Sequence, residues 1–331
     1  MNCSAADFAT AVKPKLSAKP QVTESPIAHI ECHEDIRDVC FFPNFKHSDP
    51  DSCCLLTASR GNPVRLHDTH TGKQHFTYKA IDLREELAET YSLDFHPLGK
   101  YFIAGSRGAI YVFDIETPGK AIEMRTLHTN HGKKFGIVAA MNHNPFSPTI
   151  YACGDYSAAI GVFDHNESRQ RSLFGAFIDS AHRMGPITQI KWLSEHVFLA
   201  GSRTDVFIRA FDIRGTTTTP AIRFKRPSTS NQKISFDIQN GTVVSGTSEG
   251  EVVAYDTATA EVKMKRTVAK TAIATAQFHP NLPILLTASG TRTFPSSYND
   301  SDDDVCQDSA VMLWYVSEDD AFKALSTHSD N

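Results

Sequence analysis

Six times along this chain, three short apolar runs separated by turn residues close on or near an aspartate, and this recurrence restricts the fold more than any other feature. The clearest copy is Tyr91–Asp114, YSLDFHPLGKYFIAGSRGAIYVFD. Its runs, Tyr91–Phe95, Tyr101–Gly105 and Ala109–Phe113, have strand length, and they are separated by His96-Pro97-Leu98-Gly99 and Ser106-Arg107-Gly108. Pro97 presets φ and has no N–H for a ladder, while Gly99 and Gly108 tolerate positive φ. Each unit is therefore expected to be a small antiparallel meander. The closing residues Asp68, Asp114, Asp164, Asp212 and Asp256 follow one another at spacings of 46, 50, 48 and 44, and a sixth copy ends near Tyr315.

That period lies near or slightly above the roughly 40–45 residues of a four-stranded blade, with x-Asp in place of Trp-Asp, which is the WD-repeat signature. The expected fold class is all-β: a WD-repeat β-propeller over residues 26–316 with six recognisable blades, or a seven-bladed form lacking one. Gln74–Tyr78, Ile122–Leu127, Ser172–Phe177, Ala221–Phe224 and Glu261–Thr267 lie between repeats and would be the outer strands. Residues 1–25, rich in Ala, Ser, Lys and Pro, read as a disordered basic tail. Residues 290–309, with Ser301-Asp302-Asp303-Asp304, read as a mobile acidic insert in the last blade. Residues 317–331 read as a short acidic tail with no room for another strand of comparable quality. The sixth blade then lacks an outer strand, and Ile27–Glu31 is expected to supply it and close the ring, removing exposed sheet edges.

Little in the sequence points to catalysis. Gly246-Thr247-Ser248-Glu249-Gly250 matches a nucleophile elbow by letter, but it joins two expected strands, whereas an elbow needs a strand followed by a helix. The 15 histidines form no HExxH group, and His131 and His182 sit where these repeats often carry a structural His. The seven cysteines have no CxxC pair and no zinc-ligand spacing, so they read as reduced structural thiols. Glu85-Glu86 and Asp302–Asp304 fall in expected loops and read as solvated. No cofactor and no metal are expected. No apolar run approaches membrane-spanning length and the first residues carry no apolar signal core, so an intracellular protein with no membrane partner is expected. The Asn-x-Ser/Thr matches at Asn2, Asn166, Asn240 and Asn299 would matter only in a secreted protein.

What remains is a binding surface. In a blade, the loop between the second and third strands and the loop leading into the first strand open on one face. The former carry Arg60, Arg107, Arg203 and Arg292; the latter carry Lys133, Lys134, Arg183, Lys233 and Lys270. Asp155, Asp205 and Glu249 are the fewer acidic members. A formal net charge of −5 argues against binding of polyanions by the whole surface but leaves room for such a local basic rim. Arginine can hold phosphate bidentately, and Tyr156 and Phe135 could stack on unpaired bases. The competing structural reading is that these arginines cap carbonyls or pair with a neighbouring blade's aspartate.

SRGNPVRLHDTHTGKQHFTYKAIDLREELAETYSLDFHP (Ser59–Pro97), GIVAAMNHNPFSPTIYACGDY (Gly136–Tyr156), TSNQKISFDI (Thr229–Ile238) and HPNLPILLTASGTRTFP (His279–Pro295) resemble the telomerase Cajal body protein family. The resemblance spans roughly Glu34 to Val316 and includes the inter-blade segment DLREELAETYSL and the acidic insert. It implies a non-catalytic nuclear scaffold that recognises small Cajal body RNAs of the H/ACA type and telomerase RNA. Such a scaffold directs their ribonucleoprotein particles to the Cajal body, and the resemblance also implies a chaperonin for folding. Family propellers carry one further blade upstream of the first found here. A competing class is a protein-interaction adaptor: Phe211-Asp212-Ile213-Arg214 approximates the Trp-Asp-x-Arg box of cullin ubiquitin-ligase substrate receptors, with Phe in place of Trp.

Overall fold

The fold comes from a computed structural model that describes residues 28–32, 34–129, 131–167, 172–173, 177, 179, 181–215, 219–228, 230–290, 309–316 and 322–329. It is a propeller of six consecutive antiparallel sheets. Blade 1 comprises β1 (Ile36–Phe41), β2 (Cys54–Ser59), β3 (Val64–Asp68) and β4 (Gln74–Lys79). The two-residue β8 (Gly119–Lys120), from the following blade's connection, adds to β4 in parallel. Blade 2 comprises β5 (Ser92–Phe95), β6 (Tyr101–Gly105), β7 (Ala109–Asp114) and β9 (Glu123–Thr126); blade 3, β10 (Val138–His143), β11 (Ile150–Asp155) and β12 (Ile160–Asp164). Blade 4 comprises β13 (Ile187–Trp192), β14 (Val197–Ser202), β15 (Phe207–Asp212) and β16 (Ile222–Lys225). Blade 5 comprises β17 (Phe236–Gln239), β18 (Thr242–Gly246), β19 (Glu251–Asp256) and β20 (Val262–Thr267). Blade 6 comprises β21 (Ile273–Phe278), β22 (Ile284–Ser289), β23 (Ala310–Val316) and β24 (Phe322–Ser329). Four of the expected outer strands are present; Ser172–Phe177 falls partly outside the described residues.

The recurring aspartate has a local cause. Asp68 Oδ1 accepts from the backbone N–H groups of His70 (2.9 Å) and Thr71 (2.6 Å). Asp114, Asp164, Asp212 and Asp256 accept in the same way from Glu116, Asn166, Arg214 and Ala258. The side chain thus mimics a turn carbonyl and folds the chain back into the outer strand.

Between blades, the packing is apolar and repeats five times. One buried cluster joins each consecutive pair of blades from 1–2 to 5–6. Phe102, Tyr78 and Phe113, for example, sit between blades 1 and 2, and Phe198, Phe177 and Trp192 between blades 3 and 4. Fully burying such a side chain contributes about 1.5–3 kcal/mol, so these seams dominate the stability. Each is also stapled by a polar side chain of an inner strand that accepts a backbone N–H of the next blade. Asp38 accepts from Leu93 (2.8 Å), Asp94 from His143 (2.6 Å) and Asn142 from Trp192 (3.3 Å). Gln189 accepts from Phe236 (2.8 Å) and Asp237 from Phe278 (2.9 Å).

Among the described residues, no such cluster and no such bond joins blade 6 to blade 1. On blade 1, Ile36, Val39 and Phe41 of β1 are exposed, and on blade 6, Val311, Leu313 and Tyr315 of β23 are exposed. Gln277, which stands in β21 where Asp94 stands in β5, is exposed as well.

Two expectations at the ends of the chain are corrected. The tail 317–331 does contain a strand: β24 pairs antiparallel with β23 and completes blade 6. An outer strand needs backbone pairing on one edge and few apolar side chains, as the largely exposed β20 demonstrates, so hydrophobic pattern was a poor guide there. Ile27–Glu31 does not close blade 6. Its described residues 28–31 form no strand and pack instead over blade 1, where His29, Ile30 and Glu31 line a small cleft with Arg65 and His67 of β3. Gly72 makes this approach feasible: its φ is +70°, and a Cβ there would lie 2.4 Å from the His29 carbonyl oxygen. The basic tail 1–25 and most of the acidic insert lie outside the described residues.

Candidate nucleic-acid interface

Backbone hydrogen bonds hold the two loop types together on one face of the propeller. Arg60 N–H donates to Asp35 O (3.0 Å), Gly108 N–H to Gly136 O (2.6 Å), Tyr156 N–H to Ile137 O (3.1 Å) and Arg203 N–H to Pro186 O (3.0 Å). Gly108 is required here, with φ +68° and the Lys134 side chain where a Cβ would be. Arg60, Arg107, Lys133, Lys134 and Arg183 are exposed on this face.

The structure brings two of the expected residues, Tyr156 and Arg183, to one cleft of about 890 Å³ between blades 3 and 4, lined also by Met184 and Asp179. Arg203 lies over the Tyr156 ring, its guanidinium carbon 5.3 Å from the centroid, a cation–π pair on a half-solvated aromatic. The Arg203 Nε is buried without a hydrogen-bond partner. Tyr156 is 36% exposed, so part of its surface remains accessible beside Arg203.

An ionic frame fixes the floor of this cleft. Asp179 accepts from Arg209 Nε (2.8 Å), from Arg223 Nε and Nη2 (2.7 and 2.8 Å), and from the N–H groups of Ala181 and His182. Arg223 foremost, then Arg209, holds the Asp179 carboxyl well below the usual carboxylate range. Arg209, itself buried, also meets Asp205 at 2.5 Å, and Asp205 is further bonded by Ser202. Both charges of the buried pair are satisfied, the condition under which such a pair is tolerated. The loop that carries Arg183 is thereby tied to β15 and β16.

Two of the three acidic members of the rim are turned inward, while Glu249 is exposed. Asp155 is buried and accepts from Gly136, Ser157 and Ala159 N–H groups, and Asp205 serves the frame just described. The exposed side chains named above therefore leave the loop face more basic than a count of its residues suggests.

A second group lies between blades 1 and 2 and consists of three residues that the sequence did not single out as site residues, Arg37, Glu89 and Tyr91. Arg37 pairs with Glu89 (3.2 Å) and lies over the Tyr91 ring, and the Tyr91 hydroxyl donates to Glu89 (2.6 Å). The Tyr91 bond, then Arg37, with Arg60 adding to it, holds the Glu89 carboxyl below its usual range. Arg37 is the second residue of β1 and Arg183 lies in the loop before β13, so nearness to the entry of a first strand was the available signal.

Other expected residues are placed differently. Lys233 meets Asp38 at 3.9 Å and, with Ser235 just before β17, lines the axial channel together with the inner strands of the other five blades. Phe135 is 4% exposed and packs edge-on against Phe163 in the seam of blades 2 and 3, so it cannot stack on a base. Arg292 lies outside the described residues. In the Phe-Asp-x-Arg box, Phe211 is buried and the Arg214 guanidinium is held by Asp212 (2.6 Å). Residues 246–250 join β18 to β19, which removes the strand-to-helix context of a nucleophile elbow. No helix among the described residues is long and apolar enough to cross a membrane.

The chain is 28% identical over 288 residues to Telomerase Cajal body protein 1 of Bos taurus, a match covering 84% of this chain and 52% of that protein. The Homo sapiens protein of the same name matches at 28% over 287 residues, again 84% of this chain and 51% of the relative. The resemblance read from the sequence is thus borne out across several species, and the chain spans about half the length of these curated relatives. Guanine nucleotide-binding protein negative regulator 1 of Schizosaccharomyces pombe is 28% identical over 229 residues, covering 66% of this chain and 56% of its own length. No protein-family model matches. Among solved structures, U3-55K aligns with a TM-score of 0.66 at 14% identity over 90% of this chain and 82% of that one. The RRP9 WD40 repeats align with a TM-score of 0.65 at 13% identity over 90% of this chain and 81% of that one. These likenesses establish the WD-repeat propeller fold.

Proposed function

We propose that this propeller is a non-catalytic scaffold that binds RNA through its loop face. The observation that carries this reading is the cleft lined by Tyr156 and Arg183, with Arg203 over the Tyr156 ring, where cations and a partly exposed aromatic stand together on a rim whose neighbouring aspartates point inward. Such a pairing suits an unstacked base with its adjoining phosphate, the usual target of sequence-tolerant RNA contacts. Arg107, Lys133 and Lys134 would extend the phosphate track towards Arg60. The names of the curated relatives support telomerase- and Cajal-body-related partners; the more specific reading, H/ACA-type small Cajal body RNA with telomerase RNA where present, bound in a nuclear body, rests on the family resemblance of the sequence.

The test is ultraviolet crosslinking and sequencing of the RNA bound to the intact chain, followed by binding measurements against salt. Small RNA should be recovered, and each lost phosphate contact should flatten the salt slope by about 0.7. Tyr156→Ala should weaken binding by about 1–3 kcal/mol. Changing Arg60, Arg107 and Arg203 together to Glu should abolish it. Undiminished binding in that triple variant, or no small RNA in the crosslinked pool, would sink the proposal.

A further inference from the structure

At the rim of blade 1 opposite the loop face, three side chains that no sequence motif links come together. His47, Cys53 and His70 offer ligand atoms that all lie within 4.8 Å of one another. Their spacing, with 5 and 16 residues between them, matches no zinc motif. They converge because two loops are pinned to the start of β2. Ser52, buried, accepts from the Lys46 N–H (2.9 Å) and donates to the Asp49 carbonyl (2.7 Å), which folds the segment carrying His47 back over Cys53. On the other side, Thr69 bonds the Cys53 carbonyl twice, through N–H (2.9 Å) and hydroxyl (3.0 Å), and Asp68 fixes the His70 N–H (2.9 Å). The Cys53 sulfur is fully buried at the base, and both imidazoles are exposed above it, their ring centroids 5.7 Å apart.

We propose that His47, Cys53 and His70 form a binding site for a borderline divalent transition metal, Zn²⁺ before others. Two imidazoles and a thiolate are a donor set that zinc takes up with a water in the fourth position. Zn–N bonds of about 2.0–2.1 Å and a Zn–S bond of about 2.3 Å set ligand-to-ligand edges of about 3.4–3.6 Å. The two exposed rings reach these by rotating about χ1 and χ2, with the backbone already in place. The thiol now donates to the Lys46 carbonyl (3.2 Å). On binding, the S–H bond breaks, its electron pair goes to the metal and the proton to solvent, so affinity rises with pH. A bound ion would tie the β1–β2 loop to the β3–β4 turn.

The experiment uses the full chain stripped of metal by a chelator and titrated with Co²⁺, then with Zn²⁺. Co²⁺ should produce a thiolate-to-metal charge-transfer absorption that Zn²⁺ displaces, and saturating Zn²⁺ should raise the melting temperature. The band should vanish in Cys53→Ser. It should also vanish in the double variant His47→Ala/His70→Ala, which keeps the thiol in place and, with both rings exposed, should melt like the parent in EDTA. A parent chain with no such band, or a band that survives in the double variant, overturns the proposal.

Discussion

The seam between blades 3 and 4 and the opposed faces of blades 6 and 1 are built from the same repeat and end in opposite states. In the first, Phe198 is fully buried against Phe177, Trp192 and Phe211, with ring centroids 5.1–5.5 Å apart, and Asn142 accepts the Trp192 N–H. In the second, Phe41 is 58% exposed and Tyr315 45% exposed, and Gln277 faces the channel where other blades place a staple. A blade therefore does not bury its own apolar faces. Burial is a property of the junction, and a strand with an ordinary apolar pattern stays open wherever no neighbouring sheet meets it.

The largest expected contrast comes from truncating an aromatic ring in each region. Phe198→Ala should lower stability by about 3–5 kcal/mol through lost transfer energy and a residual cavity. Phe41→Ala should change it by no more than about 0.5 kcal/mol, as for an exposed surface position. Chemical denaturation of both variants decides the matter: equal losses would mean that blades 6 and 1 are packed together in solution and would break the comparison.

A smaller contrast tests the polar staples. Asp94 accepts the backbone N–H and the ring Nδ1 of His143, both at 2.6 Å, in a buried setting. Asp94→Ala orphans these donors and should lower stability by about 1–3 kcal/mol. Gln277→Ala, at the matching position of the open junction, should be neutral within about 0.5 kcal/mol. A substantial loss at Gln277, again by denaturation, would reveal a staple there.

The smallest effect is one of pH and sharpens the description of a closed seam. His165 of blade 3 stacks on Tyr101 of blade 2 at 4.5 Å and accepts from Arg125 (3.2 Å). Burial, then the Arg125 charge, pushes its pKa down to about 4. The unfolded chain takes up this proton near the usual value of about 6.5, the folded chain only near 4. This contribution to stability is therefore complete above about pH 6.5 and is lost as the pH falls from there towards 4. His165→Phe keeps a stacked ring and removes the titration, so its melting temperature should fall less over that range than the parent's. Parallel curves for the two proteins would contradict the assignment.

The strands and turns were legible in the sequence because their causes are local. Alternation sets which residues of Tyr91–Asp114 can pair, His96-Pro97 and Gly108 set the turns, and each closing aspartate binds N–H groups only two or three residues onward. Arg60, Arg107 and Tyr156 could be assigned to one face for the same reason. Other features depend on packing between segments far apart in the chain. Only the tertiary structure turned Phe135 into a core residue, consumed Asp155 and Asp205 inside the rim, and carried residues 28–31 onto blade 1. It also made Phe322–Ser329 the last outer strand and brought His47, Cys53 and His70 together. Nearest-neighbour chemistry determines the repeat, whereas the contacts between repeats are decided by which sheet each face meets and how closely.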